Sequence, residues 1–192
     1  MEAMPTSRSS PFFRICCGST GSVLSAASGI AWVRRTGRGR RRCICLLAGH
    51  ELSKGIFWET ARIASNQNLH NLIAIVIFHD ENFHEVHYNC TEQMKEEQIR
   101  LNGFGWNVQL CDDGHDVELL LSVITTATSP VSEKNGTKKL SNSPTAIFVR
   151  VFPGSGSKDL EMFPQSPNVL LDSESKMAKL KKRLERLAKG AG

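Results

Sequence analysis

The sequence predicts an α/β fold: a mainly parallel sheet with helices on both faces, spanning about residues 22 to 159, with flexible extensions at either end. Three observations carry that prediction. "NLIAIVIF" (71–78) is an unbroken apolar run rich in β-branched residues, as a central parallel strand covered on both faces requires. From Cys43 onward, short apolar runs alternate with segments of helical period. Turn residues such as Asn102-Gly103 punctuate the alternation.

Each element follows from its own pattern. "CICLLA" (43–48) reads as a short buried strand. "KGIFWETARIASNQN" (54–68) reads as a helix with Ile56, Phe57, Thr60, Ile63 and Ala64 on one side. After the central strand, "TEQMKEEQIRLNGF" (91–104) is a helix stopped at Asn102-Gly103, and "WNVQLC" (106–111) is a strand. "DVELLLSVITTATS" (116–129) is a helix capped by Asp113 or a near neighbour, and "TAIFVRV" (145–151) closes the series as a strand. Crossovers between parallel strands are expected to be right-handed. "SPVSEKNGTKKLSNSP" (129–144), polar and bounded by prolines, is an exposed loop. In "SESKMAKLKKRLERLAKGAG" (173–192), Met177, Leu180, Leu184 and Leu187 recur at helical spacing among seven basic residues. This segment is an amphipathic helix, either docked on its own domain or suited to an acidic surface, a membrane or a partner helix.

Charge and cysteine usage narrow the class. The chain has 192 residues and a net charge of +5, and the basicity sits at its ends. Residues 1–50 contain eight Arg and one acid, Glu2, whereas the stretch from Glu51 to Glu118 is acidic to neutral. The basic runs are nearly free of aromatics, which argues against a nucleic-acid face. The six cysteines include no CxxC, so structural zinc is not expected and reduced thiols are. No apolar stretch approaches the roughly 20 residues that a bilayer span needs. The Ser/Arg-rich N-terminus has transit-peptide composition, the other reading being a loosely ordered end. A cytoplasmic location is expected, with mitochondrion or plastid the alternative.

One turn focuses the functional question. "LLAGHELSKG" (46–55) joins the first strand to the first helix of the series, where α/β proteins place a ligand's phosphates. "NLHNLIAIVIFHDE", "FGWNVQLCDDGHDVELLLSVI" and "PTAIFVRVFPGSGS" follow it in order. Together these four landmarks resemble the thiamine-diphosphate-binding domain of the transketolase family, with "SAASGIAWVRRTGRGRRR" as a degraded form of its glycine- and alanine-rich leading helix and loop. On that resemblance, residues 1–21 are a disordered or targeting segment and 22–159 a partial thiamine-diphosphate-binding fold. Residues 160–192 are a linker and the basic C-terminal helix.

The resemblance implies two-carbon ketol transfer between sugar phosphates, with thiamine diphosphate held through Mg²⁺. The family binds that ion with an Asp carboxylate, an Asn amide and a backbone carbonyl, a hard-oxygen set. Here Ala48, Gly49 and His50 take the positions of the family's Gly-Asp-Gly turn, followed by a retained Glu51. His79 takes the Asn position, and Glu81 the residue that offers its carbonyl. Lys54 replaces the acid of the Glu-Gly pair beside the retained Gly55. Glu59, Asp113, Gly114, His115 and Asp116 keep family positions, as do Gly154 and Gly156 of the last loop. His115 and Asp116 also read as caps of the following helix. On the resemblance, the family's leading histidine segment has no counterpart in residues 1–20, and the pyrimidine-binding domain that supplies the ionising Glu has none in these 192 residues. The resemblance therefore implies a chain impaired or inactive alone, with a second chain as partner: a homodimer or a transketolase-type subunit. The alternative is a non-catalytic binding or regulatory subunit.

A separate cluster, "HDENFHEVH" (79–87), gathers Asp80, His84 and His87 at helical spacing. A transition-metal site there is conceivable, but "HEVH" is one residue short of HExxH. A solvated acidic and imidazole-rich loop is the plainer reading.

Overall fold

Among the described residues, four strands form one parallel sheet in the order β1-β2-β4-β3, with β1 at Cys43–Ala48, β2 at Leu72–His79, β3 at Asn107–Cys111 and β4 at Thr145–Val151. The computed structural model describes residues 15–16, 20–36, 42–80, 90–128 and 142–156. Four α-helices accompany the strands: α1 (Ser22–Thr36), α2 (Gly55–Asn66), α3 (Cys90–Gly103) and α4 (Val117–Thr128).

Topology decides which face each helix covers. The chain steps from β1 to β2 and past β4 to β3 in one direction, then returns to β4. Right-handed crossovers put α2 and α3 on one face and force α4 to the other at the reversal. α1 joins the first face, against β1 and α2. The larger core therefore combines Leu24, Phe57, Leu72, Val76, Phe78, Met94, Leu101 and Phe148. The smaller core, under α4, is Ile73, Cys111, Ile147 and Val149, flanked by the partly buried Leu120, Val123, Ile124 and Ala127.

The sequence reading holds for the strands and needs correction on two helices. α2 buries Phe57, Thr60, Ala61 and Ala64, whereas Ile56 and Ile63, expected inside, are 43% and 53% exposed. The buried stripe has small members because α1 approaches there closely: Ser25 and Thr60 share a hydroxyl hydrogen bond of 2.7 Å, and Trp106 Nε1 donates to the Ala61 carbonyl. α4 is capped by Asp116, whose Oδ1 accepts the N–H groups of Glu118 and Leu119 at 3.0 Å. His115 is not a cap, and Asp113 Oδ1 accepts the His115 N–H instead.

Part of the basic N-terminal bias has a structural use. Arg35 donates to the Gln67 carbonyl at the end of α2, and Arg42 to the Thr128 carbonyl at the end of α4. Cations at helix C-termini satisfy carbonyls that lack a helical partner and oppose the helix dipole. Among the described residues, no helix is long and apolar enough to cross a membrane. Residues 129–141, read as an exposed loop, residues 173–192, expected as an amphipathic helix, and residues 81–87 of the His/Asp/Glu-rich stretch lie outside the described residues.

Candidate functional site

The C-terminal ends of parallel strands, where ligands bind in open α/β sheets, carry the loops that the sequence singles out. β1 runs into a single 3-10 turn, Gly49–Ser53. The turn is braced by Glu51, whose buried carboxylate accepts the Gly21 N–H at 2.8 Å and the Ala48 N–H at 3.2 Å. Gly21 has a φ of +88°, and a Cβ there would lie 2.9 Å from both Ile56 and Lys54. Glu51 thus pins the start of α1 to the turn after β1. Its two oxygens face backbone donors of the chain itself.

Gly49 is enclosed. A Cβ at this position would stand 2.9 Å from Phe78 Cδ1 and 3.3 Å from the Ile77 carbonyl. The Phe78 ring, 2% exposed, is fixed in the core against Phe148 with centroids 5.0 Å apart. Such an approach is closer than packed side chains tolerate, so this backbone admits only glycine unless the ring moves. His50 points to solvent from the same turn, and its carbonyl accepts the Ser53 hydroxyl. His79, at the end of the neighbouring strand, is exposed, as are Lys54 and Glu59. Glu81 lies outside the described residues.

The loops after β3 and β4 are tied to each other. Gly114 donates its N–H to the Arg150 carbonyl at 2.8 Å, and a Cβ on it would lie 2.5 Å from Val149 Cγ1. His115 Nε2 accepts the Phe152 N–H at 2.9 Å, which requires the ring to be unprotonated at that nitrogen, and the two rings stack at 6.2 Å. Gly154 and Gly156, with φ of +77° and +88°, turn the chain just beyond.

Sequence reasoning missed the group that organises this end of the sheet. Arg150 donates from Nε to the Asp112 carbonyl at 2.8 Å and from Nη1 to Thr91 Oγ1 at 3.3 Å. Its Nη1 also lies 3.6 Å from Asp80 Oδ2, and its guanidinium sits over the Phe152 ring. The Asp80 side chain is 2% exposed, and its Oδ1 finds no partner among the described residues. Burial, with the Asp80 charge second, pushes the nearby Cys90 thiol up to about 11, while Arg150 opposes the shift. The one available signal was a lone arginine in an otherwise apolar strand, "TAIFVRV".

A family profile described as "Transketolase, thiamine diphosphate binding domain" matches residues 40–184. The chain belongs to the transketolase family. Transketolase-like protein 2 of Homo sapiens is 32% identical over 171 residues, which cover 84% of this chain and 24% of that protein. The 6-deoxy-6-sulfo-D-fructose transketolase subunit SqwG of Clostridium sp. (strain MSTE9) is 27% identical over 159 residues, 82% of this chain and 53% of that one. The chain thus spans about a quarter of the length of the transketolase-like proteins it matches. A crystal structure of a transketolase mutant from Pichia stipitis, in complex with xylulose 5-phosphate, superimposes with a TM-score of 0.55 at 20% identity. It covers 76% of this chain and 21% of the other. That likeness is one of fold.

In the turn after β1 the one carboxylate, Glu51, already accepts backbone N–H groups with both of its oxygens. Mg²⁺ takes oxygen ligands in near-octahedral array. At the turn Gly49 offers no side-chain ligand, the Phe78 ring stands 2.9 Å from where a Cβ would start, and the next strand ends in an imidazole, His79. Among the described residues, no three His, Cys, Asp or Glu side chains are gathered as a metal site.

Proposed function

We propose that this transketolase-type domain does not carry out ketol transfer by itself. Its turn after β1 has lost the means to hold Mg²⁺ and thiamine diphosphate. The observation that carries the reading is Gly49 packed on Phe78, at the position to which the resemblance assigns the family's metal carboxylate. Calorimetric titration of the folded chain with thiamine diphosphate and Mg²⁺ tests it. No saturable, Mg²⁺-dependent heat at millimolar cofactor is the expected result, and saturable binding abolished by a chelator would overturn the proposal.

A second reading assigns the chain a partner role, as a non-catalytic subunit that joins a transketolase-type chain. It is favoured by the relative named as a transketolase subunit, of which this chain matches 53%. Light scattering on a mixture with a full-length transketolase is the corresponding measurement. Co-migration at a summed mass supports the role, and independent migration of the two proteins removes it.

A further inference from the structure

His115 is held by a bond that only its neutral ring can make. A backbone N–H can only donate, so the 2.9 Å contact from the Phe152 N–H fixes His115 Nε2 as the acceptor and leaves the ring proton on Nδ1. The imidazole also lies along the Phe152 ring, with an interplanar angle of 27°. His115 is exposed, so protons from solvent reach it without any opening of the fold. Two further ties cross the same gap: Gly114 N–H to the Arg150 carbonyl, and Arg150 Nε to the Asp112 carbonyl. They join backbone groups to one another or to a guanidinium, and neither kind of group titrates at mildly acid pH. A titratable contact thus stands beside two fixed ones.

We propose that His115 is a pH-operated latch: neutral, it holds residues 152–156 against the loop after β3, and protonated, it releases them. A proton on Nε2 sets two N–H donors face to face, so the bond is lost and the ring turns away. The new charge is also poorly placed where the ring sits. The Arg150 guanidinium already lies 5.2 Å from the Phe152 ring centroid, so a second cation would border the same ring. His115 immediately precedes the Asp116 cap, at the positive end of the α4 dipole. Asp112, Asp113 and Asp116 of its own loop, and Glu118 in the first turn of α4, offer anionic partners to an imidazolium that has left Phe152. Asp80, at the end of β2, is buried against Arg150 and faces that cation instead. Gly154 and Gly156, both at positive φ, follow Phe152 closely and let the released segment swing about the fixed Arg150. The loop stands at the C-terminal end of the sheet, where open α/β sheets take their ligands, so the latch acts on that edge and leaves both cores alone. It uses neither the turn at Gly49 nor any cofactor, and stands apart from the proposed function.

Amide exchange of the full chain, corrected for the intrinsic effect of pH on exchange, reads the latch at single residues. Between about pH 8 and about pH 5, the range in which imidazoles take up a proton, protection of the Phe152 amide should fall. The expected drop is about three- to tenfold, the worth of one hydrogen bond. It should follow the titration of the His115 ring protons in NMR spectra. The Gly114 amide, bonded to the Arg150 carbonyl, should keep its protection throughout. His115→Ala should leave the Phe152 amide weakly protected at both ends of the range, with the pH dependence gone. Because His115 is exposed, this variant should keep the far-UV circular dichroism of the parent. A Phe152 amide indifferent to pH in the parent overturns the proposal, and that result needs no variant. A pH dependence that survives His115→Ala overturns it too. So does a Gly114 amide that loosens in step with Phe152, because the change is then a general loosening and not the release of a latch.

Discussion

Gly49 and Phe78 define the turn between them, and their coupling is measurable without any ligand. In the parent, a Cβ at residue 49 would meet the Phe78 ring at 2.9 Å. Gly49→Ala should therefore destabilise the chain by about 1–3 kcal/mol, the usual cost of overpacking a core. Phe78→Val removes the obstructing ring, so Gly49→Ala should cost much less in that background. Urea unfolding of the parent, both single variants and the double variant closes the cycle. Additive costs would show that the ring is not what excludes a side chain. The same reasoning bears on the proposed absence of cofactor binding. A Gly49→Asp/His50→Gly change introduces the residue types that the resemblance assigns to this turn, but the new side chain starts inside Phe78. It should gain no Mg²⁺-dependent thiamine diphosphate binding while the ring remains.

At the scale of elements, α3 carries a pH-dependent strain that its charge pattern alone does not reveal. Glu97 is buried, with Oε1 bonded to Arg100 Nη1 at 2.6 Å and Oε2 without a partner. Burial raises its pKa above the ordinary carboxylate value, and the half-exposed Arg100 only partly opposes this. With a raised folded pKa, the folded chain holds a proton that the unfolded chain has already lost within that window. Stability from this group therefore falls as pH climbs from the ordinary carboxylate value through the raised one, and stays lower above it. Glu97→Gln should be the more stable protein near neutral pH and lose that advantage near about pH 4. Urea unfolding at the two pH values checks it, and an advantage unchanged by pH would disprove the assignment. Glu97 also marks the limit of what the sequence disclosed. The bounds of β1 and β4 were legible because apolar runs between turn residues have few alternatives. The buried side of α2 was not, since periodicity favours the large Ile56 and Ile63 over Ala61. What decided it was the approach of α1 to Thr60 and of Trp106 to the Ala61 carbonyl. The candidate site divided in the same way: the turn after β1 and the loops after β3 and β4 stood out as turn motifs, but the ring under Gly49 and the web of Arg150 arise from contacts between distant segments.

For the whole molecule, the two faces of the sheet are unequally held. Three helices pack on one face, and each places fully buried residues in the larger core. Among the described residues, the other face has α4 alone, and none of its residues is buried. Its inward residues Leu120, Val123, Ile124 and Ala127 are only partly covered, and Val117 and Leu121 are 66% and 58% exposed. Less apolar area leaves water when α4 docks, so less free energy opposes its release. What anchors α4 is polar and peripheral: the Asp116 cap at its start, the Arg42 contact with Thr128 at its end, and the ties between the loop before it and β4. Local stability in proteins follows such differences in buried contact, and segments open in cooperative units below the global transition. α4 should therefore form the lowest of these units. In native-state hydrogen exchange at rising denaturant, the α4 amides should lose protection first and together. Amides of β2 and β4, the two central strands with a hydrogen-bonded neighbour on each side, should exchange only through global unfolding. If the α4 amides instead merge with those of β2 and β4 at every denaturant concentration, the small core under α4 is as firmly held as the large one. The weakness inferred from its exposed leucines is then wrong.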